Sequence, residues 1–189
     1  MYRRPKVTIL VALVRCSQAR KNAVGVSKKN SLALDMEQLI KTFYTAFQNK
    51  DWKTMQSCYH DEVVFNDPVF RNLQGNEAKA MWHMLVASGK DLTIDFSKVK
   101  ANDRKGSCYW EATYTFSRTG RRVHNIIDAK FAFKDGKIFR HTDTFNLWLW
   151  SSMALGIVGV LLGWSPLIKN RVRSLAEHNL GKFMDANNY

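Results

Sequence analysis

The chain has 189 residues, 46% apolar and 12% aromatic: enough for one domain with a real core, short for two, and too apolar for an intrinsically disordered chain. Its net charge is +13, but residues 1–35 hold eight Lys/Arg against the single acid Asp35, leaving 21 bases against 15 acids in the rest. A basic excess gathered at one end gives little support to a nucleic-acid-binding domain.

Residues 1–34 are set apart from the fold. Arg3, Arg4 and Lys6 precede the apolar run Val7–Val14, the outline of a signal peptide that lacks an Ala-x-Ala-like cleavage site. The absence of acids before Asp35 suits an organelle presequence equally well. A third reading starts the protein at Met36 and makes it cytoplasmic, with the upstream residues an unstructured extension. The three stay open.

Met36, Leu39, Ile40, Phe43 and Phe47 recur at three- and four-residue steps and predict a helix, capped by Asp35 with Gln38 in capping-box position. A short second helix is expected from Trp52 through Met55 to Tyr59, then a solvated loop at His60-Asp61 and a strand at Val63–Phe65. Asp67-Pro68 ends that strand, because the residue before proline is pushed to extended or turn conformations. Gly75-Asn76 opens a third helix, with Ala78, Met81, Trp82, Leu85 and Val86 on its buried face, His83 partly exposed and Gly89 as its stop.

Four β-rich segments follow, 92–101, 107–117, 122–133 and 137–149, separated by turn residues at 102–103, 118–120 and 134–136. Helices first and a meander afterwards define an α+β fold with the helices on one face of a curved antiparallel sheet. Arg118, Arg121 and Arg122 surround one turn without interleaved aromatics, so they read as a solvated tip rather than a nucleic-acid site.

Thr144 to Ile168 carries no charge. Once its strand residues are removed, too little remains to cross a bilayer as a helix, although Gly159-x-x-x-Gly163 is a helix-pairing motif. A buried helix over the open end of the domain, or in a subunit interface, is the expectation. Ser165 and Pro166 then begin a final helix whose mixed apolar and basic residues allow membrane-surface contact as the alternative. The organisation is an extension over 1–34, a domain over 35–150 and a helical tail over 151–189.

In order along residues 36–146, the segments LIKTFYTAFQNKDWKTMQSCY, HDEVVFNDPVF, LQGNEAKAM and NIIDAKFAFKDGKIFRHTDTF resemble the nuclear-transport-factor-2-like superfamily, which includes SnoaL-like proteins and ketosteroid isomerases. The resemblance implies a cone of helices within a bent sheet, an apolar pocket for a small molecule, and a homodimer through the sheet's outer face. Set beside a bacterial ketosteroid isomerase, Asp67 falls where that enzyme keeps its carboxylate proton shuttle. The positions of its oxyanion donors, a tyrosine and a protonated aspartic acid, fall on Phe43 and Asn125. Phe43 donates nothing and Asn125 only a neutral amide bond, so steroid isomerisation itself is not implied.

The same matching turns His141, Asp143 and Phe145 toward the pocket, in keeping with the two-residue period of a strand. With Asp67 they form a candidate acid/base group. The alternatives are a turn aspartate satisfying local N–H groups at Asp67, and an outward-facing polar pair if the strand slips by one residue. Phe43, Trp82, Trp110, Tyr114, Asn125 and Phe145 are the expected ligand-contacting residues. Trp110 and Tyr114 belong to a stripe with Cys108, Ala112 and Phe116 that reads as core or pocket wall. His124 and Asp128 should face outward, Asp128 toward a dimer contact or ion pair.

The spacing of His141, Asp143 and Asp67 names no metal site, and Cys16, Cys58 and Cys108 read as reduced thiols. Without a glycine-rich phosphate loop or dinucleotide fingerprint, no organic cofactor is expected. Three functions remain: a cofactor-independent isomerase, lyase or hydrolase with Asp67 as general base; a non-catalytic binding or assembly domain; or a membrane-associated protein using the 144–168 run.

Overall fold

The computed structural model describes residues 31–189, so the targeting readings and Cys16 lie outside the described residues. Helix α1 covers 31–48, and Ile40, Phe43, Tyr44 and Phe47 on its inner face are buried almost completely. The chain is already helical before Asp35, so Asp35 and Gln38 sit within the helix and do not form its cap. α2 (Trp52–Ser57) starts where the Asp51 carboxylate accepts the Thr54 N–H. It ends earlier than expected, because Tyr59 belongs to strand β1 (Tyr59–Asn66). That strand also takes in His60 and Asp61, which the sequence placed in a loop.

A two-residue strand β2 (Leu73–Gln74) leads through Gly75, at φ +47°, into α3 (Asn76–Ser88), which stops at Gly89. The meander is β3 (Thr93–Ala101), β4 (Lys105–Phe116), β5 (Arg121–Lys134) and β6 (Lys137–Thr144). The curved sheet runs β2-β1-β6-β5-β4-β3. Its pairs are antiparallel except β1 with β6, where Phe65 lies beside His141 in parallel register. Sequence alone gave no sign of that pairing, because the two strands lie about seventy residues apart and join only after the meander closes.

β6 ends at Thr144, five residues before the expected limit. Asn146 accepts the Leu149 N–H and starts α4 (Leu147–Leu155), so the apolar run is helical almost from its beginning. Gly156, at φ +64°, turns the chain into α5 (Ile157–Leu162), which folds back on α4. A Cβ on Gly159 would stand 1.9 Å from the Ser151 carbonyl oxygen, and one on Gly163 2.8 Å from the Ser151 Cβ. The small-residue motif thus joins two helices of one chain.

Contrary to the expected buried helix, α5 turns its large side chains outward: Ile157 is 76% and Leu161 63% exposed. Gly159→Ala is expected to force α5 off α4 and lower stability by about 1–3 kcal/mol, read as a fall in the thermal midpoint. An unchanged midpoint would show that the two helices are not held together there.

The 22-residue α6 (Pro166–Asn187), capped by Ser165, straps the helices to the sheet. Leu180, Ala176 and Met184 pack on the main core. Arg173 Nε donates to the Pro68 carbonyl at 3.0 Å. The Tyr189 hydroxyl meets Gln56 Nε2 at 2.7 Å and His83 Nδ1 at 2.9 Å. No helix among the described residues is long and apolar enough to cross a membrane.

Candidate functional site

Inside the cone is a cavity of about 960 Å³, walled by α3, α6 and the inner face of β4, β5 and β6. Apolar side chains dominate, among them Trp82, Trp110, Phe145 and Trp150. The strand alternation decides what faces it. On β5, Val123, Asn125 and Ile127 point inward, while His124 points out to pair with Glu111 at 2.7 Å. On β6, His141 and Asp143 are inward and buried, whereas Thr142 and Thr144 are exposed. Trp82, Trp110, Tyr114, Asn125 and Phe145 all line the cavity with Asp67 and Asp143.

Phe43 and His141 do not. Phe43 is fully buried one layer deeper, stacked on Tyr59 and edge-on to Trp82 and His141. This corrects its expected ligand contact: its helix position brings it against the closed end of the cone, where aromatic rings fill the space. His141 lies in that same layer, wholly buried among Phe43, Phe65, Trp82 and Phe131. Its hydrogen bond to Asp143 links it to the cavity.

The polar groups around His141 form a directed chain. Trp82 Nε1 can only donate, and it donates to the Tyr59 hydroxyl oxygen at 2.6 Å. The Tyr59 proton is then free to go to His141 Nδ1, 2.7 Å away. This assigns the remaining imidazole proton to Nε2, which lies 2.9 Å from Asp143 Oδ1. Trp110 Nε1 donates to the same oxygen at 3.4 Å. Burial, more than any other cause, holds the Tyr59 hydroxyl well above its ordinary pKa and keeps it a donor. Tyr59 was not singled out by sequence; its only prior signal was its place at the end of an apolar helix.

Asp67 is partly buried in a turn. Its Oδ1 accepts the Val69 N–H at 2.6 Å and the Phe70 N–H, while its own N–H donates to the Phe70 carbonyl. The turn-aspartate reading is therefore present in the structure, but it uses one oxygen. Oδ2 makes no hydrogen bond with a described residue, and the side chain borders the cavity. Burial raises the carboxyl from 3.8 to about 7, the Asp143 charge adds to it, and the Phe70 and Val69 N–H groups and Arg173 pull the other way.

Tyr114 contributes more than ring surface. Its oxygen accepts the Trp150 Nε1–H at 2.8 Å, which leaves its own O–H for another acceptor. Burial holds that hydroxyl above its ordinary pKa. Asn125 lies opposite Ala112 in the β4–β5 register, so Tyr114 and Asn125 are diagonal neighbours on the inner face.

An open six-stranded curved sheet closed on helices, with a mostly apolar interior, defines a nuclear-transport-factor-2-like cone. The chain belongs to the SnoaL-like family: the model of the SnoaL-like domain matches residues 40–141. Among curated proteins none matches it.

Solved structures similar to it include a putative SnoaL-like polyketide cyclase from Jannaschia sp. CCS1, with TM-score 0.59 and 10% identity over 66% of this chain and 94% of that one. A putative polyketide cyclase from Xanthomonas campestris aligns with TM-score 0.55 and 18% identity over 65% and 98%. An LEH-like epoxide hydrolase from M. tuberculosis aligns with TM-score 0.53 and 16% identity over 69% and 97%. At these identities the likeness is one of fold.

Proposed function

We propose that the protein is a cofactor-independent enzyme that moves a proton on a small, largely apolar carbonyl compound. The observation that carries this reading is the placement of two carboxyl groups, Asp67 and Asp143, on one apolar cavity beside the Tyr114 O–H and the Asn125 amide, which donate to no described residue. A carboxyl that titrates near 7 can both take and return a proton at neutral pH. Asp67 is thus the shuttle, working through Oδ2 while Oδ1 anchors the turn.

Asp143, held by His141 and Trp110, orients the substrate, and its charge adds to the burial that raises the Asp67 carboxyl. The Tyr114 O–H and the Asn125 amide are the donors for negative charge that builds on the carbonyl oxygen as the α-proton leaves. His141 and Tyr59 position Asp143 and do not touch substrate. Structures of this fold are named as cyclases and as an epoxide hydrolase, so the architecture hosts more than one enzyme class and the choice rests on the cavity.

The probe is 2-tetralone, an apolar enolisable ketone, with exchange of its α-hydrogens in D₂O followed by NMR. Wild type is expected to accelerate exchange over buffer. Asp67→Asn should lower the rate about 100-fold or more, and Tyr114→Phe about 10-fold. Saturable binding of 2-tetralone without accelerated exchange would leave a binding domain as the function.

A further inference from the structure

The helical hairpin of α4 and α5 carries an apolar surface that nothing else in the described residues covers. Ile157, Leu161, Trp164 and Leu167 are 61–76% exposed, and Trp148, Leu149, Val158, Val160 and Leu162 are about half exposed. Scattered exposed hydrophobes need no explanation, but nine large ones within twenty residues do. They are not left over from a loosely packed element. α5 is fastened to α4 through Gly159 and Gly163 against Ser151, and the Trp148 indole donates to the Val160 carbonyl at 3.1 Å. The inner face of α5 is consumed by the hairpin, and the outer face is held open.

Charge distinguishes the possible occupants. No acid occurs from residue 144 to 176, while Lys169 and Arg171 follow the apolar run directly, Arg173 being tied to the Pro68 carbonyl. On the other flank, Arg121 Nε donates to the Met153 carbonyl at 2.9 Å and its guanidinium lies over the Gly156 turn, with Arg118 and Arg122 exposed beside it. A second copy seated on this face would bring the same apolar residues and cations, with no acid from residues 144 to 176 to pair them. An anionic lipid surface answers both features, taking the apolar side chains below the headgroups and the cations at their level. The two exposed indoles, Trp148 and Trp164, suit the interfacial depth.

We infer that the α4–α5 hairpin is a monotopic docking prong that seats the protein on an anionic membrane surface without spanning it. The inference is independent of the proposed catalysis, although Trp150 and Leu155 within α4, and Ile168 just beyond the prong, also border the cavity.

The test is co-sedimentation of the full chain with phosphatidylcholine vesicles, with and without phosphatidylserine. The comparison is wild type against the triple variant Ile157→Ser/Leu161→Ser/Trp164→Ser, whose sites are exposed enough to leave the fold intact. Residues 1–30 are the same in both proteins, so any binding they contribute cancels. Wild type is expected to bind the serine-containing vesicles, and the triple variant to bind them about tenfold less well with an unchanged melting curve. Equal binding by the two proteins would overturn the inference, as would no binding by wild type. A shift in oligomeric state by light scattering with no vesicle binding would overturn it in favour of a contact between copies.

Discussion

Replacing His141 with leucine is expected to lower stability by about 3–5 kcal/mol, measured by urea unfolding at neutral pH. The two side chains are similar in volume, so loss of packing is not the main cause. Asp143 is buried and accepts from His141 at 2.9 Å and from Trp110 only at 3.4 Å. Without the imidazole its carboxylate stays in an apolar wall with one long hydrogen bond, and the Tyr59 O–H loses its acceptor as well. Both groups then carry desolvation that no partner offsets. The double variant His141→Leu/Asp143→Asn removes the charge and should recover much of the loss. A single-variant loss below about 1 kcal/mol would show that Asp143 finds other partners and that the chain through Tyr59 is dispensable.

Much of this arrangement was legible in the residues, for physical reasons that also mark where legibility stops. The two-residue period of β6 places His141 and Asp143 on one face, and burial then selects the inner one. The same rule separates Asn125 from His124 on β5.

Depth is what periodicity does not give. Phe43 and His141 share the inner side with Trp110 and Tyr114, yet the parallel β1–β6 pairing closes the cone over the first two and leaves the others at the cavity. Tyr59 was invisible for the same reason. Its hydroxyl matters because Trp82 and His141, from α3 and β6, converge on it across the closed end. The uncharged run after Thr144 was read as a burial signal on composition. Composition does not show that glycines would take the inner face of α5 and turn its large residues out.

In the proposed function one residue, Asp67, serves fold and chemistry together. Oδ1 gathers the Val69 and Phe70 N–H groups and sets the chain entering Phe70, a core residue. That anchoring holds the side chain in one geometry at the cavity wall, as a proton shuttle of the proposed kind requires. α6 contributes from outside. Arg173 holds the Pro68 carbonyl, so the strap and the turn are tied at the residue next to the carboxyl. Truncating the strap would therefore act on Asp67 as well as on the cavity wall.

The pH dependence of stability gives the second large effect. In the folded protein Asp67 keeps its proton up to about pH 7, whereas the unfolded chain releases it near 3.8. Between those values the native state binds more protons than the unfolded state, so stability falls as pH rises and levels off above about 7. The full shift corresponds to at most about 4 kcal/mol, and water reaching a partly exposed carboxyl brings it to on the order of 2 kcal/mol. Asp51, Asp61, Glu62 and Asp91 are held below their ordinary values by hydrogen bonds, and they contribute the opposite slope at lower pH.

Comparison with Asp67→Asn isolates the one group, since the asparagine Oδ1 can still accept both backbone N–H bonds of the turn. Unfolding free energies of the two proteins should be closest near pH 4, diverge in favour of the variant up to about pH 7, and run parallel above it. Curves parallel throughout would mean that Asp67 titrates like an exposed aspartate, which removes the proton shuttle from the cavity. Divergence in the opposite sense, with the variant weaker at high pH, would make the ionised carboxylate a stabilising partner of Arg173 and leave the turn as its only role.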